Sequence, residues 1–109
     1  MKNKKQIRIK FRNDVFERDN HKCLFCEKES KDAHHITDRN EMPNGGYVKE
    51  NGISVCELHH LKCEKFHITD GQQWDIGFHP NDLYKLIKSS YITALMNYHD
   101  TKDVVVSGT

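Results

Sequence analysis

Along the chain, apolar and polar positions first alternate in a basic context: Ile7, Ile9 and Phe11 are interleaved with Arg8, Lys10 and Arg12. A period of two predicts a short strand with one solvated face over residues 6–12. Asn13 follows as an N-cap for a helix over residues 14–18, with an acid early and a base late, as the helix dipole prefers. Cys23-Leu24-Phe25-Cys26 reads as a tight turn, residues 32–36 as a short strand, and residues 37–50 as a loop carrying Pro43-Asn44-Gly45-Gly46. Residues 53–55 predict a second short strand. Residues 57–66 predict a helix with Leu58, Leu61 and Lys65 along one side, stopped by Asp70-Gly71. Pro80 blocks backward extension of a last helix, and Asn81 is its expected cap. Leu83, Leu86, Ile87, Ala94 and Leu95 supply its apolar face, with a break near Ser89-Ser90, and a frayed tail begins at Asp100.

These elements predict an α+β fold in one domain spanning residues 1–109. Its core covers residues 23–67, with a basic strand in 1–12 and a helical segment in 80–99. With 109 residues and only 36% of them apolar, the hydrophobic core is expected to be thin, so a bound metal would help to hold it. Trp74, Phe78 and Tyr84 are assigned to that core.

Charge adds one local feature. The chain is nearly neutral, yet Lys2, Lys4, Lys5, Arg8, Lys10 and Arg12 share residues 1–12 with no acid. Such a run suits phosphate neutralisation, and equally a solvated basic tail. No apolar stretch approaches the ~20 residues of a membrane span, and the N-terminus lacks the apolar core of a signal peptide. The expectation is a soluble, intracellular, cytoplasmic protein of bacterial or phage-type context. In that compartment four cysteines read as metal ligands or redox centres rather than disulfides.

The cysteines come with histidines. Cys23-x2-Cys26 and Cys56-x2-His59 are two knuckles with the ligand types and spacing of a closed tetrahedral zinc site. Cys63 is the rival fourth ligand; its offset of seven from Cys56 crosses a helix, so His59 is preferred and Cys63 is assigned to buried packing. Inside the loop that this staple closes lie His34-His35, then Asn51, then His60 with Glu64 one helical turn on. In an extended segment His34 and His35 point to opposite faces, so one can bind a metal while the other acts as a base. His60 and Glu64 project from one helix face and suit a single ion.

The order His-His, Asn, His, threaded through Cys-x-x-Cys and Cys-x-x-His, resembles the HNH endonuclease family. The matching stretch runs from Cys23 to about His67, including His34-His35-Ile36, Gly45-Gly46-Tyr47, Glu50 to Cys56, and His59-His60. The resemblance implies a ββα-metal (His-Me finger) core and hydrolysis of nucleic-acid phosphodiesters, DNA foremost. It implies that His35 is the general base, that Asn51 ties down the loop carrying it, and that His34 and His60 ligate one divalent cation such as Mg²⁺, Mn²⁺ or another transition metal. Some members of the family carry a further histidine where Glu64 stands, so Glu64 is the expected third ligand and His67 its substitute. Arg39, in the loop after His35, is expected to brace the scissile phosphate. A single site of this kind cuts one strand; duplex cleavage would take a homodimer or a larger complex. The rival readings are a zinc-binding nucleic-acid module without catalysis, and a thiol redox protein using Cys23 and Cys26.

Overall fold

A computed structural model describes residues 3–97. It has an α+β fold: a two-stranded antiparallel sheet lies between helices. The expected tail from Asp100, His99 and the end of the 80–99 segment fall outside the described residues.

The first helix, α1 (Lys4–Arg18), replaces the expected basic strand and the short helix capped by Asn13. Asn3 caps it instead: Asn3 Oδ1 accepts from the Gln6 amide at 2.9 Å, and the Asn3 amide donates to Gln6 Oε1 at 3.3 Å. This reciprocal capping box starts the helix ten residues earlier than expected. The alternating stretch also contains a helical seam, because Ile7, Phe11 and Val15 are four residues apart. Phe11 and Val15 are buried while Ile9 is exposed, so the period of 3.6 decides the burial and the period of two does not.

The strands β1 (Asp32–His35) and β2 (Gly52–Val55) pair with Asp32 opposite Val55 and His35 opposite Gly52. Alternation along β1 divides its side chains between two layers. Asp32 and His34 face α2 (Glu57–Ile68), and His35 faces α1. Gly52 is required by the α1 layer: a Cβ there would lie 2.5 Å from Val15 Cγ2 and 2.7 Å from Phe11 Cζ. At the end of α1, Arg18 donates to both Asp19 carboxylate oxygens at 2.8 Å and to the carbonyls of Lys49 and Gly52 at 2.7 Å. Asp19 in turn accepts from the Ser54 amide at 3.0 Å, so a partly buried ion pair satisfies the open edge of β2.

Helix α2 ends at the Asp70-Gly71 turn as expected, with the Gly71 amide donating back to the Phe66 carbonyl at 2.7 Å. Helix α3 (Pro80–Leu86) is capped by His79 rather than Asn81: His79 Nδ1 accepts from the Asn81 amide, and Asp82 closes the box from the third position. Pro80 occupies the first helical position, where its missing N–H costs nothing. The chain breaks at Ser89-Ser90, and residues 91–97 are helical again. The core joins Ile36, Met42, Val48, Ile53, Val55, Cys63, Leu83, Tyr84 and Ala94. Tyr84 is core and Phe78 packs against it, whereas Trp74 is largely exposed, against expectation. It rests edge-on against His79 and tilted against Phe66 on the outer side of α2, beyond the reach of the core. No helix among the described residues is long and apolar enough to cross a membrane.

Candidate metal centres and the cleft beside them

Cys23, Cys26, Cys56 and His59 converge, with their ligand atoms all within 4.8 Å of one another. The first knuckle is folded by its own backbone: the Cys23 amide donates to Lys28 and the Glu27 amide to Cys23, with Glu27 in the left-handed region. It is sewn to β2 by Leu24 N–H to the Ser54 carbonyl. The second knuckle is the start of α2, where Cys56 is the N-cap. A tetrahedral zinc with ordinary bond lengths puts neighbouring sulfurs roughly 3.8 Å apart and sulfur roughly 3.5 Å from nitrogen. Cys26 Sγ and Cys56 Sγ are 3.7 Å apart, and His59 Nδ1 lies 3.2 Å from Cys56 Sγ and 3.7 Å from Cys23 Sγ. These four residues are close enough to bind a metal such as zinc.

The surroundings favour that role. The Cys56 thiol is pulled down to about 6, first by the backbone amide of His59 and then, against the opposing effect of burial, by the His59 ring. A thiolate is the ligand form. The His59 ring packs against the stacked pair Phe25 and Phe78, at 5.2 Å and 6.0 Å, which holds its orientation. Cys63 stands outside the cluster, in the core, where burial pushes its thiol up to about 12.

A second group forms where β1 meets α2. His34, His60 and Glu64 each offer a ligand atom within 4.8 Å of the others. Glu64 Oε1 is 3.1 Å from His60 Nε2 and 3.4 Å from His34 Nδ1, the latter without hydrogen-bond alignment. His34 is 1% exposed, and both of its ring nitrogens are buried with no hydrogen-bond partner. Burial holds His34 below the ordinary imidazole pKa despite the nearby carboxylate. The His34 and His60 rings in turn hold Glu64 well below the usual carboxylate range. The set is thus a neutral imidazole, a second imidazole and an ionised carboxylate. An orphaned buried imidazole costs free energy, and its bare Nδ1, 3.4 Å from an ionised carboxylate, fits a cation.

Two neighbours complete the group. Asp32 Oδ2 lies 3.2 Å from His60 Nδ1, on the far side of the ring from Glu64, and fixes the ring's orientation. Sequence reasoning missed Asp32, although its position two residues before His34 puts it on the same strand face. His67 stacks on His34 at 5.1 Å, but its Nε2 is committed to the His35 carbonyl at 2.9 Å, so it buttresses the strand and lies outside the ligand cluster.

His35 occupies the other face of β1. Its ring stacks on Phe11 at 4.5 Å and meets the edge of Tyr47 at 4.8 Å, and its Nε2 is buried without a partner. Burial, followed by the proximity of the His34 ring and the Arg39 guanidinium, lowers its pKa to about 4. Asn51, fully buried, ties the following loop: it clasps both ends of Thr37 and donates to the Gly46 carbonyl at 3.2 Å. Gly46, at φ 61°, has no room for a side chain, because a Cβ would sit 2.7 Å from Asn51 Nδ2. Arg39 lines the same cleft as His34, His35, His60 and Glu64, a space of about 390 Å³.

The structure adds Phe11 and Tyr47 around the His35 ring, with Arg8 beside Tyr47. Burial would raise the Tyr47 phenol, but hydrogen bonds from Arg39 and Arg8 outweigh it and lower its pKa. The signal for Arg8 was present in the sequence: read as a helix, residues 3–18 put Arg8 one turn before Phe11, on the same face.

Comparison with family models, with curated proteins and with solved structures finds no match.

Proposed function

We propose that this protein is a metal-dependent nuclease of the HNH, ββα-metal type, hydrolysing nucleic-acid phosphodiester bonds, with DNA as the foremost substrate. Cys23, Cys26, Cys56 and His59 hold a structural zinc. His34, His60 and Glu64 hold a divalent cation of the Mg²⁺, Mn²⁺ or related transition-metal kind, a choice suited to mixed imidazole and carboxylate ligands. One observation carries the reading: two separate ligand sets flank a single hairpin, and beside the second set stands His35, half-buried, with its Nε2 buried and unpartnered and its ring facing away from His34.

Each residue then has a task. His34, His60 and Glu64 present nitrogen and oxygen donors from one strand and one helix, and Asp32 keeps the His60 ring turned toward Glu64. A cation bound there supplies Lewis acidity toward the phosphate and the leaving oxygen. His35, held neutral by burial, accepts the proton of the attacking water at its free nitrogen. Phe11 and Tyr47 hold its ring, and Asn51 holds the loop that follows it. Arg39 offers a guanidinium to the phosphate at the rim. Duplex breaks would take two copies or a larger complex, and an intracellular setting accords with the reduced cysteines.

The test is incubation of the wild type and His35→Ala with plasmid, single-stranded DNA and RNA, in Mg²⁺, Mn²⁺ or Ni²⁺ and in chelator. Cleavage that needs both the cation and His35 supports the proposal. Nucleic-acid binding with no cleavage under any cation would leave a zinc-stapled binding module instead.

A further inference from the structure

Resting on the nuclease reading, we propose that Arg8 of α1, together with Arg39 and the Tyr47 hydroxyl, forms a phosphate clamp that receives the strand backbone next to the scissile bond. It is fed by the exposed cations Lys4 and Lys5.

The clamp is assembled by packing. Phe11 stacks on His35 and touches the edge of Tyr47 at 5.6 Å, which fixes the angle of α1 across the sheet. Arg8, one turn earlier on the same helix, is thereby carried toward Tyr47, and Arg39 lines the cleft beside His35 from the loop after β1. Both guanidiniums lower the pKa of one phenol, whose ring centroid lies 4.8 Å from that of His35. Two cations brought together without an acid repel one another. Among the described residues neither arginine has a carboxylate within ion-pair distance, while Lys10 is paired with Asp14, Arg18 with Asp19 and Lys65 with Asp75. An anion between them relieves that repulsion, and planar guanidiniums match phosphate oxygens.

The track continues outward. Lys4 and Lys5 occupy the first turn of α1, are exposed, and have no ion-pair partner among the described residues. The first turn holds no acid, so the basic end of the helix is uncompensated. Lys4 is four residues before Arg8, placing both on one stripe that runs toward Tyr47. A flexible polyanion with regularly spaced charges fits such a stripe, and a small anion would need only its inner end.

The experiment uses full-length, zinc-loaded protein with no other divalent cation, and a fluorescein-labelled single-stranded and duplex DNA verified as uncut. Anisotropy titrations across a salt series are run on wild type, Arg8→Gln, Arg8→Lys, Tyr47→Phe, Lys4→Gln with Lys5→Gln, and Lys28→Gln. Lys28 is an exposed control lining a separate groove with Leu58 and Leu61. Losing one phosphate contact should make the plot of log K against log salt shallower by about 0.7 on single strands and about 0.9 on duplex. Arg8→Gln should show that change, the Lys4 and Lys5 double variant about twice it, Arg8→Lys partial rescue, and Lys28→Gln none. Tyr47→Phe should weaken binding while keeping the slope, because it removes the anchor and no charge.

Unchanged slope in Arg8→Gln while the wild type still cuts would overturn the clamp and leave the nuclease. An equal slope change in Lys28→Gln would overturn it as well, as diffuse attraction. The expected slopes in a protein that never cuts would support Arg8 as a phosphate contact, and would remove the nuclease reading and with it the clamp's place beside a scissile bond.

Discussion

Asn51 holds Thr37 at both ends of its backbone: Oδ1 accepts from the Thr37 amide at 2.9 Å, and Nδ2 donates to the Thr37 carbonyl at 3.1 Å. The same Oδ1 accepts from the Tyr84 hydroxyl at 2.7 Å, so the segment after His35, the loop at Gly46 and α3 are joined at one side-chain amide. Asn51→Ala should therefore strand several buried polar groups and cost on the order of 3 kcal/mol. Tyr84→Phe removes one partner of several and should cost about 1 kcal/mol. Urea denaturation of both variants measures the difference; equal losses would mean that the Asn51 amide is not the joint.

Zinc content tests the staple. One tightly held zinc per chain is expected, and Cys26→Ser should unfold the domain or leave it insoluble. A structural site contributes about 10–16 kcal/mol, so even a quarter of that exceeds what a thin core can spare. Folded, active protein without zinc by elemental analysis would end this assignment.

Separation of the two metal sets is testable by titration calorimetry. His60→Ala should weaken binding of the second divalent cation and cut activity while keeping zinc and melting temperature, because the His60 ring is partly exposed. His34→Ala should do the same but lower the melting temperature, since its ring is buried between His67 and His60. Loss of zinc in step with the second cation would show that the histidines are divided differently.

His35→Ala should keep zinc and nucleic-acid affinity yet lose at least ~10²-fold in cleavage, the scale for removing a general base. The control is a matched purification of the His60→Ala protein, which excludes contaminating nuclease. Full activity in His35→Ala would remove the proposed mechanism.

The pH dependence carries the sign of burial. An ordinary imidazole base would give an acidic limb near ~6.5. His35 is lowered to about 4, first by burial and then by His34 and Arg39, with Asp38 and Glu64 opposing. It stays neutral, and able to accept a proton, as pH falls to that value. His60 is raised, chiefly by its hydrogen bond to Glu64, so protons compete with the cation there at higher pH. Raising the divalent cation concentration should move the acidic limb of the rate profile downward, toward about 4. A limb fixed near 6–7 at every cation concentration would contradict the buried setting of His35.

By itself the sequence determined the ligand chemistry. Cys-x-x-Cys, Cys-x-x-His, His34-His35 and the His60–Glu64 pair are short-range spacings, and strand alternation or helix pitch settles which way each side chain points once the element is right. The turn at Gly45-Gly46, the stop at Asp70-Gly71 and the break at Ser89-Ser90 were legible for the same reason. Tertiary structure decided what depends on distant partners. Residues 6–12 satisfy a strand and a helix equally on apolar spacing, and the choice fell to the Asn3–Gln6 capping box and to a seam that needed Gly52 to dock against. Only that docking made Phe11 a wall of the His35 site, brought Arg8 to Tyr47 and buried His35 deeply enough to lower its pKa. Each is a contact between residues more than twenty apart in sequence, where local pattern carries no information about proximity.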